Sequence, residues 1–360
     1  MRVLFIGGTG TISTAISKQA LELGWELFLL NRGNRIGVLD AVLNAAGKDG
    51  RLVEIICDIR AESEEAISAK IMAALDKNGS PTRFDAVADF IAYTRSDVEK
   101  DYRIFRELCN QYIFISSASA YQKPLSSYLI TESTPLANPY WEYSRNKIAC
   151  EDYLTAQYRE NGFPVTIVRP SHTYDERSVP LGVHGNKGSW QVIRRIMDGK
   201  PVIIHGDGTS LWTLTHNSDF ARGFTGLIGN IRAPGEALHI TSDEALSWNQ
   251  IYAAIAAALG KPLKAVHISS EFLANCGPYD FTGSLIGDKA NSAVFDNTKL
   301  KRLVPGFCAS IRFDKGVRDT INYILAHREC QCEDIEFDTW CDRVIAAYEK
   351  AVEITKRAVQ

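Results

Sequence analysis

The run Gly7-Gly8-Thr9-Gly10-Thr11-Ile12-Ser13 constrains this chain more than any other, because of what stands on either side of it. Before it lies Val3-Leu4-Phe5-Ile6, an apolar run that reads as a buried strand. After it Ile12, Ala15, Ile16, Ala20 and Leu23 recur at helical spacing, and Gly24 supplies the stop. A strand, a glycine-rich turn and a helix in that order form a cradle for the pyrophosphate of a dinucleotide. Gly7 permits the tight turn and Gly10 lets the backbone approach the phosphates. The helix start, with Thr9, Thr11 and Ile12 around it, offers unpaired N–H groups and a favourable dipole. Ser13 stands where a small residue lets helix and strand pack closely.

Further strands are expected at 26–30, 53–57, 86–90, 112–116 and 165–169, separated by helical patterns. That alternation predicts an α/β, doubly wound parallel-sheet Rossmann fold with the strands' carboxyl ends along one ligand-binding edge. After Pro170 the pattern breaks into a Gly-, His-, Ser- and Pro-rich stretch, then a helix over 190–198, a strand over 202–205 and a Gly-Asp-Gly turn. We expect a dinucleotide-binding domain over 1–175 with a returning segment about 205–235. A smaller α/β substrate-binding domain over 176–330 and a C-terminal helix over 331–360 should follow.

Bulk properties exclude several classes. With 40 Lys and Arg against 43 Asp and Glu the net charge is −3, so no nucleic-acid partner driven by counterion release is expected. No apolar run approaches the ~18 residues of a membrane span, and the N-terminus enters a strand with no signal-peptide pattern. A cytoplasmic protein is the expectation. The eight cysteines are scattered without a CxxC pair; Cys330, Cys332 and Cys341 lack a fourth ligand at zinc-site spacing, so no metal is expected.

The end of the second strand should choose between the two nicotinamide cofactors, because a carboxylate there repels a 2′-phosphate. Here the run is Leu30-Asn31-Arg32-Gly33-Asn34-Arg35, with no acid and with two arginines able to grip a phosphate. NADP is favoured over NAD. Asp58, closing the third strand with Ile59 after it, either hydrogen-bonds the adenine amine or caps a helix.

Downstream, Tyr143-Ser144-Arg145-Asn146-Lys147 places Tyr and Lys on one helix face. A nearby ammonium favours phenolate and makes a tyrosine usable as an acid/base. The motif follows the Ser-rich strand end Phe114-Ile115-Ser116-Ser117-Ala118-Ser119-Ala120-Tyr121.

In this order GGTGTIS, CDIR, ISSASAY, YSRNK, VRP and HGDG, the last followed by Asp219-Phe220-Ala221, make residues 1–225 resemble the extended short-chain dehydrogenase/reductase family of the NAD-dependent epimerase/dehydratase type. The resemblance implies that Ser117 hydrogen-bonds a substrate oxygen, that Tyr143 carries the proton, and that Lys147 holds the nicotinamide ribose and tunes Tyr143. It further implies that Phe90, Ile91, Ala92 and Ser116 line the cofactor, and that Pro170 and His172 face the nicotinamide. Hydride transfer at a secondary alcohol of a sugar-like or polyol substrate would follow, as net oxidoreduction or within an epimerase cycle. Family members commonly pair through two helices, here about 96–109 and 144–159, so a homodimer is expected.

Two departures narrow the substrate. Ala118 and Ser119 replace the Asp-Glu pair of family dehydratases, which disfavours elimination of water. Trp212 stands about where nucleotide-sugar members carry a diphosphate-clamping arginine, with Arg194 and Arg195 on the preceding helix as candidate substitutes. Ser119, His172, Trp190, Arg194 and Trp212 are the substrate candidates, with His184 and His216 behind them. The competing reading is a non-catalytic cofactor sensor, or an RNA- or protein-binding member of the same fold.

Overall fold

The computed structural model describes residues 1–34, 38, 42, 51–76 and 83–360. Its strands are β1 (Arg2–Ile6), β2 (Glu26–Asn31), β3 (Arg51–Ile56), β4 (Ala86–Asp89), β5 (Tyr112–Ile115), β6 (Leu129–Ile130), β7 (Val165–Pro170), β8 (His172–Tyr174), β9 (Val202–His205), β10 (Leu211–His216), β11 (Ala237–Ile240), β12 (Ala245–Ser247), β13 (Ala265–Ile268) and β14 (Val294–Phe295). Seven of them form one sheet in the order β11-β7-β5-β4-β1-β2-β3, every pair parallel. This is the doubly wound Rossmann architecture, with its order reversing between β1 and β4. The strands expected from pattern are all present. β3 starts earlier than the apolar pattern suggested, because Arg51 and Leu52 pair along the sheet edge with Glu26 and Leu27.

Why β1 is an unbroken apolar run is visible in its packing. Leu4 and Ile6 face one buried cluster, whereas Val3 and Phe5 face another on the opposite side. The first cluster takes Ile67 and Ile71 from α2 (Glu64–Asp76) and Val98 and Phe105 from α3 (Arg95–Phe105). It also takes Cys150 and Leu154 from α4 (Glu142–Asn161). The second takes Ile16 and Ala20 from α1 (Thr11–Glu22) and Phe220 and Phe224 from α6 (Asn217–Thr225).

The remaining strands form small sheets, β12-β10-β8, β13-β9 and β14-β6, around a separate apolar cluster. That cluster includes Trp190 of α5 (Trp190–Met197), Trp248 and Tyr252 of α7 (Trp248–Ala258), and Phe337 of the terminal helix Ile335–Ala358. The chain crosses back to the large sheet through α6 and β11. No helix among the described residues is long and apolar enough to cross a membrane.

Candidate functional site

A cleft of about 1030 Å³ runs along the carboxyl ends of β1 to β4, and the glycine-rich loop forms its floor. Gly7, Thr9, Gly10, Thr11, Ile12 and Ser13 all line it. Gly7 has φ +89°, and a Cβ there would stand 2.6 Å from Ile91 Cγ2, so turn and packing both demand glycine. Gly10 is different. Its φ is an ordinary −86°, and the nearest atom to a Cβ would be Ser13 Oγ at 3.4 Å. The packing of the protein does not require glycine there, and the absent side chain leaves the loop backbone open to the cleft. Ser13 does more than pack. Its hydroxyl accepts from Gly10 N at 2.8 Å and donates to Gly7 O at 3.0 Å, clasping the loop.

At the far end of the cleft Asn31 and the exposed Arg32 form the wall, with Asn31 Oδ1 accepting from Gly33 N at 2.6 Å. Arg35 lies outside the described residues. Asp58 lines the cleft while its carboxylate accepts from the amides of Arg60 and Ala61, so the turn-capping role is present beside any contact with a ligand. Ile59 is a buried part of the same wall. Sequence reasoning missed Glu54, Arg60, Tyr93 and Asp97, which also line it.

Arg60 explains how the opposite wall is shaped. Its guanidinium donates to Asp89 at 2.7 Å and to Asp101 at 2.8 Å, and Tyr112 OH donates to Asp101 at 3.1 Å. Burial, then the Asp89 carboxylate beside it, holds Asp101 well above the usual carboxylate range. Asp89 in turn accepts from the amides of Ile91 (2.7 Å) and Ala92 (3.0 Å), fixing the loop after β4. Phe90 and Ile91 line the cleft as expected, whereas Ala92 is buried behind it. Ser116 is also corrected: its hydroxyl donates to Glu151, which is ion-paired with Arg169, and lines neither cavity.

A second cavity of about 280 Å³ adjoins the cleft at the end of β5. Ser117, Ala118, Ser119, Tyr143, Pro170, Ser171, His172 and Trp212 line it, together with Lys123, Trp141, Asp288, Lys289, Ala293 and Phe295. Pro170 and His172 thus belong to this cavity rather than to the dinucleotide cleft. Ser117 and Ser119 share a hydrogen bond of 2.9 Å, and Ser144 donates to Ser119 at 2.8 Å. Burial pushes the Tyr143 phenol up to about 12, with the Ser117 hydroxyl beside it pulling the other way. It is therefore protonated across the neutral range.

Lys147 is fully buried, and its ammonium donates to Ala92 O at 2.6 Å and Ile115 O at 2.7 Å. It lies 5.8 Å from the centre of the Tyr143 ring. Desolvation lowers it to about 8. Burial, with Ser117 opposing it, is what shifts the Tyr143 phenol here.

Trp212 faces the cavity, and its indole N–H donates to His172 Nδ1 at 3.1 Å. Burial, reinforced by Lys289 and His184, brings His172 down to about 3, so the ring is neutral and its proton sits on Nε2. Two substrate candidates are corrected. Trp190 is packed in the apolar cluster of the smaller sheets, and Arg194 is exposed and paired with Glu333 and Asp198. Neither lines the cavity. His216 caps α6 through Ser218 N, and His184 Nδ1 is hydrogen-bonded with its neighbour's carbonyl, Gly185 O.

Residues 3–240 match the NAD dependent epimerase/dehydratase family. The chain belongs to that family. It is an enzyme of this epimerase and oxidoreductase type, as its motif order implied. It is 24% identical over 307 residues to 2′-dehydrokanamycin reductase of Streptomyces kanamyceticus, a match spanning 85% of this chain and 80% of that protein. It is also 24% identical to the chloroplast stem-loop binding protein of 41 kDa b of Arabidopsis thaliana, over 72% of this chain and 64% of that protein. Among solved structures it resembles the UDP-glucuronic acid 4-epimerase of Bacillus cereus in complex with UDP-glucuronic acid and NAD. The TM-score is 0.69 at 17% identity, covering 91% of this chain and 99% of that one.

Proposed function

We propose that this family member moves a hydride between a secondary alcohol of a sugar-like or polyol substrate and a nicotinamide dinucleotide. The step serves net oxidoreduction or the transient oxidation of an epimerisation. The observation that carries this reading is the side-by-side placement of Ser117 and Tyr143 on a cavity that adjoins the dinucleotide cleft. When bound, the nicotinamide accepts or donates the hydride. Ser117 Oγ hydrogen-bonds the reacting oxygen of the substrate, and the Tyr143 phenol gives it a proton in reduction or takes one in oxidation. Lys147 holds the carbonyls of Ala92 and Ile115, which fixes the junction between cleft and cavity.

NADP is the preferred partner because Arg32, with no acid beside it on β2, lines the cleft; Glu54, one strand further out, moderates that preference. The stem-loop binding of the chloroplast relative is not carried over, since a net charge of −3 and a narrow cavity suit a small molecule. Dehydration of the family kind is disfavoured because Ala118 and Ser119 stand in place of its Asp-Glu pair; the carboxyl that does line the cavity, Asp288, comes from a distant segment. Cofactor reduction across a panel of sugars and polyols tests the reading. Tyr143→Phe should lose roughly 10²–10⁴-fold in kcat while still binding cofactor; full turnover in that variant would sink the assignment.

A further inference from the structure

The smaller cavity contains charges that neither the fold nor the proposed proton transfer uses. Lys123 and Lys289 line it and are only 4% and 8% exposed, yet neither ammonium has a hydrogen bond or ion-pair partner among the described residues. Backbone bonds hold both positions in place: Lys123 N donates to Ala137 O, and Lys289 O accepts from His205 and from the Trp248 indole. The one carboxylate nearby, Asp288, lies too far from either for an ion pair and is itself pushed up by burial. His172 is neutral. Two ammonium groups therefore share one cavity with a single carboxyl group, and a largely buried ammonium without a partner is costly.

Size narrows the occupant. At about 280 Å³ the cavity lies below the roughly 300–1000 Å³ of sites for drug-sized ligands. Trp212, tied to His172, occupies part of the wall with its indole. Ser117 and His172 among the lining residues can partner hydroxyl groups of a polyhydroxy substrate presented to Tyr143.

We infer that Lys123 and Lys289 form an anion subsite, and that the substrate is a monosaccharide-sized secondary alcohol bearing one carboxylate or phosphate, without a nucleotide. This rests on the hydride-transfer reading for its chemistry but not for its binding site.

The test has a binding arm and a turnover arm. In the binding arm, the wild-type protein saturated with NADPH or NADH is titrated with glucuronate, gluconate, glucose 6-phosphate, sulfate, glucose and UDP-glucose, following heat release and melting temperature. Anions of monosaccharide size should bind at least tenfold more tightly than glucose or UDP-glucose, and carboxylate against phosphate identifies the group. Lys289→Met and Lys123→Met should each weaken that binding at least tenfold, with Lys289→Arg restoring part of it; sulfate competition in the wild type gives the same reading without a variant. In the turnover arm, kcat/KM for the preferred anion relative to glucose should fall in the methionine variants through KM rather than kcat. Equal affinity for glucose and every anion, or tighter binding of UDP-glucose, overturns the subsite. If anions bind and no alcohol is turned over, the hydride-transfer reading fails while the subsite stands; if glucose is turned over in a Tyr143-dependent way and no anion binds, the reverse holds.

Discussion

The two cavities of this enzyme are built in opposite ways. Each stretch of the dinucleotide cleft is a short segment at the end of one strand, and its polar groups are mostly satisfied by their own loop. Ser13 clasps Gly7 and Gly10, Asn31 bonds Gly33, and Asp58 bonds Arg60 and Ala61. The smaller cavity draws on residues from Ser117 to Phe295 and leaves buried charges without partners. A site that completes its own hydrogen bonds binds by shape and backbone; one that leaves charges open is waiting for a specific complement. The first is built from local loop geometry, and the second from residues that only the folded chain brings together.

Three measurements would break or sharpen that contrast. Gly7→Ala should have the largest effect on the cleft: a left-handed residue with a side chain costs about 1–2 kcal/mol, and Ile91 stands in the way of the new methyl. Fluorescence titration should show NADPH affinity falling at least tenfold, and unchanged affinity would mean that the loop is not self-determined. A smaller effect is expected from the charges at the cleft's outer end. Arg32→Ala should cut the preference for NADPH over NADH by about three- to tenfold, given a charge-assisted contact of about 1 kcal/mol at an exposed site. Glu54→Gln should shift the preference the other way, and a preference indifferent to both would place the 2′ position elsewhere.

The smallest effect concerns Lys147, which spans the junction. Its folded value of about 8 lies below the ordinary 10.5, so the native state binds fewer protons than the unfolded chain between those two pH values. Stability from this group therefore rises with pH across that window, and its full penalty is present below about 8. The melting temperature of the wild type minus that of Lys147→Met should become more positive from pH 8 to 10.5. A difference flat with pH would show that the lysine is not desolvated.

How much could be read beforehand follows the same division. The glycine loop, the strands and the Tyr143–Lys147 spacing were legible because each is set by neighbours a few residues away. Arg60 was named only within a motif, and its pairing with Asp89 and Asp101 depends on a turn, a strand end and a helix meeting, which no local pattern encodes. Trp190 and Arg194 were misplaced because an aromatic and a cation near a loop look the same whether they face a cavity, a core or an acidic neighbour. Trp190 went to the core and Arg194 to Glu333. Lys123, Asp288 and Lys289 carried no motif at all. Only the folding of distant segments onto the end of β5 gives them meaning.

The return of the chain to the large sheet has a consequence for how this protein can be divided. β11 closes the sheet beside β7, and Phe220 and Phe224 of α6 cover the face against α1. A fragment ending near residue 175 would keep the glycine loop but lack an outer strand and half of one hydrophobic face. The dinucleotide half therefore cannot be an autonomous module, and a chimera that exchanges the substrate half with a relative needs at least three junctions, after β7, before α6 and after β11, because Trp248, Lys289 and Phe337 all follow β11. The specificity-bearing part is interleaved with the large sheet along the chain, and heat should melt both halves in a single transition.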